Sequence, residues 1–182
     1  MKFKKLVLWI IILGAIVFGI NYSVKTYLFP FKHEESIKKY SEEYDLDPYL
    51  VLSVIKAESK FKSDAESHKG AMGLMQITGD TGKWIAEQME LSDYSEDKLY
   101  NEDYNIKMGC WYLDNLRDEF GDKDLFIAAY NAGRGNVNKW LDNSQYSKDG
   151  KKLDYIPYKE TKKYVDRVDT YYKIYKFLYE NK

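Results

Sequence analysis

Glu58 follows Val51, Val54 and Ile55 by seven, four and three residues, so a helix through this segment sets its carboxylate on the same stripe as three branched apolar side chains. Burial on such a stripe disfavours the charged form of a carboxyl. Glu58 is therefore placed to keep a proton toward neutral pH, the state a general acid needs. The same spacing suits a structural glutamate at the stripe edge, paired with Lys62 one turn on, and periodicity alone does not separate the two. Glu160 and Tyr164, four apart, share one helix face and would present an acceptor and a phenol together; an ordinary surface pair reads the same way. Tyr130 and Asn131 close an apolar segment just before Gly133, where side chains either project into a cleft or act as a core tyrosine and a capping amide. Ser67 and Gln76 are weaker signals, equally explained as a loop serine and a helix-capping amide.

Other chemistries find no support. His33 and His68 are the two histidines, with neither a His-Glu-x-x-His pattern nor cysteine partners, so no zinc site is predicted. The single cysteine, Cys110, falls on an apolar helix stripe beside Trp111 and reads as a buried thiol. Gly133 and Gly135 follow a helix rather than a strand, which excludes a phosphate-cradling loop.

The elements that must position these residues are helical. With 182 residues, 45% hydrophobic and 31% charged, the chain is long enough for one domain with a sizeable core. From Phe31 onward the apolar periodicity is helical, and no run of alternating strand residues is convincing, so the body is all-α. Asp47 and Pro48 open a helix over YLVLSVIKAESKF, preceded by a helical approach from Glu34 to Tyr44. A loop is predicted over 62–73. Further helices are predicted over 101–120, closed by Gly121, over 125–131, and over 159–179, with one extra turn at 136–141. The net charge of −1 hides a partition: Lys2, Lys4, Lys5 and Lys25 are the charged residues of the first thirty, which leaves the body 24 basic and 29 acidic groups. Such a body offers no footprint for nucleic acid.

Leu6 to Ile20 is an unbroken apolar run behind a lysine-rich start, fitting either a secretory signal or a short membrane-spanning helix. No small-residue cleavage site follows and no cysteine is placed for lipidation, so retention is favoured. At ~1.5 Å per residue the run covers about 22 Å of a ~30 Å hydrocarbon layer, and Phe3 and 22–24 must help to fill the span. The lysines put the N-terminus inside and the body outside the cytoplasm, at the cell membrane. The expected division is 1–30 as basic start and anchor, and 31–182 as the functional domain.

The segment ESKFKSDAESHKGAMGLMQI, Glu58–Ile77, closely resembles the signature of the soluble lytic transglycosylase family, where E-S, A-x-S and G-A-x-G-L-M-Q follow at these spacings. AAYNAGRGNV, Ala128–Val137, and IPYKETKKYVDRV, Ile156–Val168, resemble the family's second and third blocks in the same order. The resemblance implies a lysozyme-like α-helical fold acting on peptidoglycan glycan strands at the N-acetylmuramic acid–N-acetylglucosamine bond, without metal or cofactor. It implies Glu58 as the lone catalytic acid and then base, and Ser67, Gln76, Tyr130, Asn131, Glu160 and Tyr164 as groove residues. The family's product is a 1,6-anhydro sugar. A lysozyme-type hydrolase and a non-catalytic wall-binding or assembly protein are the alternatives. Thr78 stands where several relatives carry methionine. A mildly acidic body would be repelled by anionic wall polymers unless local basic patches, such as Lys148, Lys151 and Lys152, compensate.

Overall fold

The computed structural model describes residues 2–180, and these divide into two units on either side of the Lys32–His33 junction. In the first, α1 (Lys2–Ser23) continues through a wider turn of π-helix, Val24–Leu28. The continuous helix Phe3–Leu28 is 26 residues long, with a mean hydropathy of 2.2 in its most apolar window. At ~1.5 Å per residue that is about 39 Å, enough to cross a ~30 Å hydrocarbon layer. The apolar run alone was short; helical Tyr22 to Leu28 supplies the missing length, and the large side chains from Leu6 to Ile20 are exposed.

The second unit is built from helices whose ends the sequence marks. The α2 helix (Glu34–Glu43) leads into α3 (Pro48–Glu58), where the Asp47 carboxylate accepts the Tyr49 amide at 2.8 Å and Pro48 takes the first turn. A two-stranded antiparallel hairpin follows, β1 (Ala71–Met72) pairing with β2 (Ile77–Thr78), Met72 opposite Ile77. Then come α4 (Gly79–Gln88), a 3-10 turn at Glu96–Tyr100, α5 (Glu102–Phe120), α6 (Lys123–Ala132), α7 (Arg134–Leu141) and α8 (Lys159–Tyr179). The all-α expectation holds, with eight α-helices among the described residues. Asn101 and Asp122 cap α5 and α6, and Gly121 at φ 69° turns the chain between them.

Three predictions need correction. The helix read over YLVLSVIKAESKF ends at Glu58 rather than Phe61, because Lys60 and Phe61 take a left-handed backbone, φ 53° and 65°. The segment 62–73 is not loop throughout, because β1 begins at Ala71, and α7 runs for two turns rather than one. The α4 helix escaped the sequence reading. Its GDTGKWIAEQ carries two glycines and few apolar residues, so its stability comes from packing. Ile85 and Ala86 join Met72, Ile77, Leu99 and Met108 in one cluster, covered by Trp84, Trp111 and Tyr112.

The main core lies where α8 packs along α3 and α6, and α5 along α2 and α6. Val51, Leu52, Val54 and Ile55 of α3 are fully buried, as are Ile106, Leu113 and Leu116 of α5 and Tyr175 of α8. Truncating any one of the large aliphatic residues to alanine would cost about 2–5 kcal/mol. The functional consequence is rigidity: α3 ends at Glu58 with its buried face clamped against α8.

Candidate active site

A cleft of about 790 Å³ opens beside the C-terminus of α3. Its walls come from the hairpin region (Ser67 to Thr81), from α5 and α6 (Tyr112, Tyr130, Asn131) and from the start of α8 (Pro157 to Thr161), with Glu58 at its edge. Of the seven residues singled out in the sequence, Glu58, Ser67, Gln76, Tyr130, Asn131 and Glu160 line it. Tyr164 lies just behind the wall and reaches the site through Glu58.

Glu58 is the last residue of α3 and is partly buried. The Tyr164 hydroxyl, 106 residues away in sequence, donates to its Oε1 at 2.6 Å, a charge-assisted length. Burial pushes the Glu58 carboxyl up from its ordinary value of 4.5 to about 7; the Tyr164 hydrogen bond and the positive charge of Arg167 hold it back from rising further. The influences on this carboxyl are thus desolvation, a phenol and an arginine, rather than Lys62, which is exposed. Near neutral pH the group exists in both protonation states, which suits one side chain to give a proton and take one back.

Tyr130 and Tyr164 are held as neutral phenols, their ionisation pushed well above the ordinary range, first by burial and then by the nearby Glu58 charge. Tyr130 donates to the Met75 carbonyl at 2.8 Å and so ties α6 to the hairpin loop. Gln76 adopts a left-handed backbone (φ 50°), and its amide nitrogen donates to Ala65 O at 3.1 Å and Gly73 O at 3.0 Å. Its nitrogen is therefore committed to the loop, and the carbonyl oxygen is what it has to offer a ligand. Ser67 Oγ accepts the Lys69 and Ala71 amides at 3.2 and 3.0 Å and braces the same loop. Asn131 and Glu160 are exposed on the walls. Thr78 caps α4 through a 3.3 Å bond from the Thr81 amide, and both threonines line the cleft.

The sequence reading missed what supports this wall. Asn105 of α5 is fully buried. Its Oδ1 accepts the Met75 amide at 2.7 Å, while its Nδ2 donates to Met72 O at 3.1 Å and Leu99 O at 2.8 Å. One side chain thus satisfies three buried backbone groups and fixes the hairpin loop to α5. Gly73 (φ 76°) permits that approach, since a Cβ there would strike Leu99 O and the Asn105 amide. An asparagine between Tyr104 and Ile106 carries no signature of its own; its one signal is a polar residue beside the apolar stripe.

Tyr112 and Tyr158 are further wall residues outside the sequence reading. The Tyr112 ring sits 5.5 Å from that of Tyr130, and Trp140 meets Tyr158 edge-on at 4.9 Å. Trp84 packs against Trp111 and Tyr112 beneath the Arg134 guanidinium. Cys110 is buried and its thiol is pushed far from ionisation by burial, consistent with an inert core residue. Among the described residues no group of three or more His, Cys, Asp or Glu side chains could hold a metal ion. His33 instead pairs with Glu102 at 3.0 Å.

Comparison with known proteins places this geometry. The family model described as "Transglycosylase SLT domain" matches residues 35–153. The soluble lytic murein transglycosylase of Escherichia coli (strain K12) is 32% identical over 153 residues, covering 81% of this chain and 24% of that protein. The membrane-bound lytic murein transglycosylase C of Actinobacillus pleuropneumoniae serotype 5b is 33% identical over 120 residues, 60% of this chain and 33% of the relative. Among solved structures, a 70-kDa soluble lytic transglycosylase in complex with bulgecin A superposes with a TM-score of 0.75 at 30% identity, covering 85% of this chain and 25% of that one. An inactive Pseudomonas aeruginosa Slt, in which a glutamate is replaced by glutamine, gives 0.72 at 30% identity over 88% of this chain and 28% of its own. The chain spans about a quarter of the length of the soluble curated relatives it matches. With the helical architecture of the solved relatives, the lysozyme-like fold, and the family model spanning most of its second unit, this chain belongs to the transglycosylase SLT domain family.

Proposed function

We propose that the protein is a peptidoglycan lytic transglycosylase, cleaving the β-1,4 bond between N-acetylmuramic acid and N-acetylglucosamine with Glu58 as general acid and then base. The observation that carries this reading is a single cleft carboxyl raised to about 7 and hydrogen-bonded by a buried phenol. In the first step the Glu58 proton passes to the glycosidic oxygen and the bond from that oxygen to the muramic C1 breaks. In the second, the Glu58 carboxylate removes the proton of the muramic C6 hydroxyl, whose oxygen bonds to C1. The product is a 1,6-anhydro end and no water is consumed. Tyr164 supports the carboxylate formed between the steps by donating to it.

Ser67, Gln76, Tyr130, Asn131 and Glu160 are assigned to holding the glycan. A hydrolase on the same scaffold would need a second carboxylate about 5–9.5 Å from the acid. Among the described residues the other carboxylate on the cleft wall is Glu160, exposed at the first turn of α8 and one turn before Tyr164. Its solvated position suits an acceptor for sugar hydroxyls, and the names of the relatives favour the intramolecular route. The long apolar helix α1 and the membrane-bound relative support anchoring in the cell membrane, with the basic N-terminus inside and the cleft outside the cytoplasm. The division into an anchor (1–30) and a catalytic domain (31–182) belongs to the same proposal.

The test is release of soluble fragments from purified labelled peptidoglycan. Wild type releases them, and Glu58→Gln, which keeps the shape and loses the proton, is slowed at least about 10²- to 10⁴-fold. A Glu58→Gln variant that digests at the wild-type rate removes Glu58 from the mechanism. Binding without cutting by both proteins would establish the non-catalytic alternative.

A further inference from the structure

We propose that Lys69 and Lys159 form a carboxylate-reading pair in the cleft and set how strongly it holds the acidic groups of a murein strand. The inference rests on the peptidoglycan reading above and names the chemistry that the cleft selects. Lys69 comes from the loop braced by Ser67, and Lys159 from the first residue of α8, ninety positions later, yet both line the same cleft and both are exposed. Among the described residues neither ammonium enters an ion pair or a side-chain hydrogen bond, whereas several other lysines of the body are tied to carboxylates, as Lys123 is to Asp169 and Lys162 to Asp166.

The charge balance inside the cleft runs against that of the whole body. Beyond Pro30 the chain has 24 basic and 29 acidic groups. The charged side chains on the cleft wall, by contrast, are Lys69, Lys159, Glu160 and Glu58, and burial keeps Glu58 partly neutral. A strongly anionic polymer approaching an acidic protein is repelled everywhere except where local cations meet it. Chitin-like strands carry no charge. Murein carries a carboxylate on every muramic acid, either on the lactyl arm itself or on the peptide attached to it. Two free ammoniums beside a sugar-sized cleft fit that pattern and meet no opposite charge in a neutral strand.

The experiment measures binding by calorimetry with the full chain in non-ionic detergent, in a Glu58→Gln background so that no ligand is consumed. Three tetrasaccharide probes are compared: murein with peptide stems, murein stripped to its lactyl carboxylates, and neutral chitotetraose. The expected result is a preference for the anionic probes that falls about threefold for Lys69→Gln or Lys159→Gln, and about tenfold for the pair, the size of exposed ion pairs. Charge reversal by Lys69→Glu deepens the loss, and ~0.5 M salt removes most of the preference in the parent. A fall confined to the stem-bearing probe assigns the lysines to peptide carboxylates, and a fall on the stripped probe assigns them to the muramic arm. An anionic-to-neutral ratio that does not change on substitution overturns this inference alone. A parent that binds none of the probes overturns it together with the functional reading.

Discussion

Replacing Glu58 by glutamine should make the protein more stable at alkaline pH, at the expense of its chemistry. The native carboxyl sits at about 7 against an ordinary 4.5, so the folded state resists its ionisation. Below about pH 4.5 both folded and unfolded chains carry the proton and the site costs nothing. Between the two values the unfolded chain ionises first, and stability falls by about 1.4 kcal/mol per pH unit. Above about pH 7 the loss is complete, at roughly 3 kcal/mol. Glutamine is neutral throughout, matches the shape, and keeps an oxygen to accept the Tyr164 hydroxyl. Urea unfolding in non-ionic detergent, followed by tryptophan fluorescence, should show the variant more stable by about 3 kcal/mol near pH 8, with the gap closing near pH 4. For a domain of this size that gap is about 6–12 °C in Tm. A variant that is no more stable at pH 8, or a gap that does not change with pH, would refute the claim that burial holds this proton.

Other consequences can be checked in the same way. Tyr164→Phe removes a donor that favours the charged carboxylate, so the alkaline limb of the kcat/KM profile, expected near 7, moves to higher pH; an unmoved limb would break the link between phenol and acid. Asn105→Ala leaves three buried backbone groups without partners and should cost about 3–5 kcal/mol in urea unfolding, with the hairpin loop becoming the first site of protease nicking. A cost below about 1 kcal/mol would mean the loop does not depend on it. Gly109→Ala would normally gain up to about 1 kcal/mol in a helix interior, but here a Cβ overlaps the Met75 side chain as far as its own Cβ at 2.9 Å. Thermal unfolding should therefore show a loss of about 1–3 kcal/mol, and a gain would contradict that packing.

Helices with strong end signals were legible in the sequence. Asp47-Pro48 and Asn101 mark where α3 and α5 begin, and Gly121 closes α5; in each case the side chain or backbone preference acts locally. The apolar stripe of α3 gave Glu58 its place, because a helix fixes side-chain direction regardless of the rest of the fold. What sets the properties of Glu58 was not legible from spacing: Tyr164 arrives through the packing of α8 on α3, a long-range contact. The hairpin and α4 were hidden for a related reason. Two-residue strands have no alternation to detect, and a glycine-bearing helix of weak pattern persists through Ile85, Ala86 and the Leu99 cluster rather than through its own propensity. Asn105 looks like any helix asparagine until Met72, Met75 and Leu99 are seen to converge on it.

Mass spectrometry of the saccharide ends released from purified peptidoglycan tests the central claim most directly, since cleavage by the sugar's own hydroxyl and cleavage by water differ by one water in the product. Proton transfer through Glu58 alone predicts anhydromuramic ends in the wild-type digest, and their loss in Glu58→Gln. Reducing ends from the wild type, or anhydro ends that persist in the variant, would contradict it.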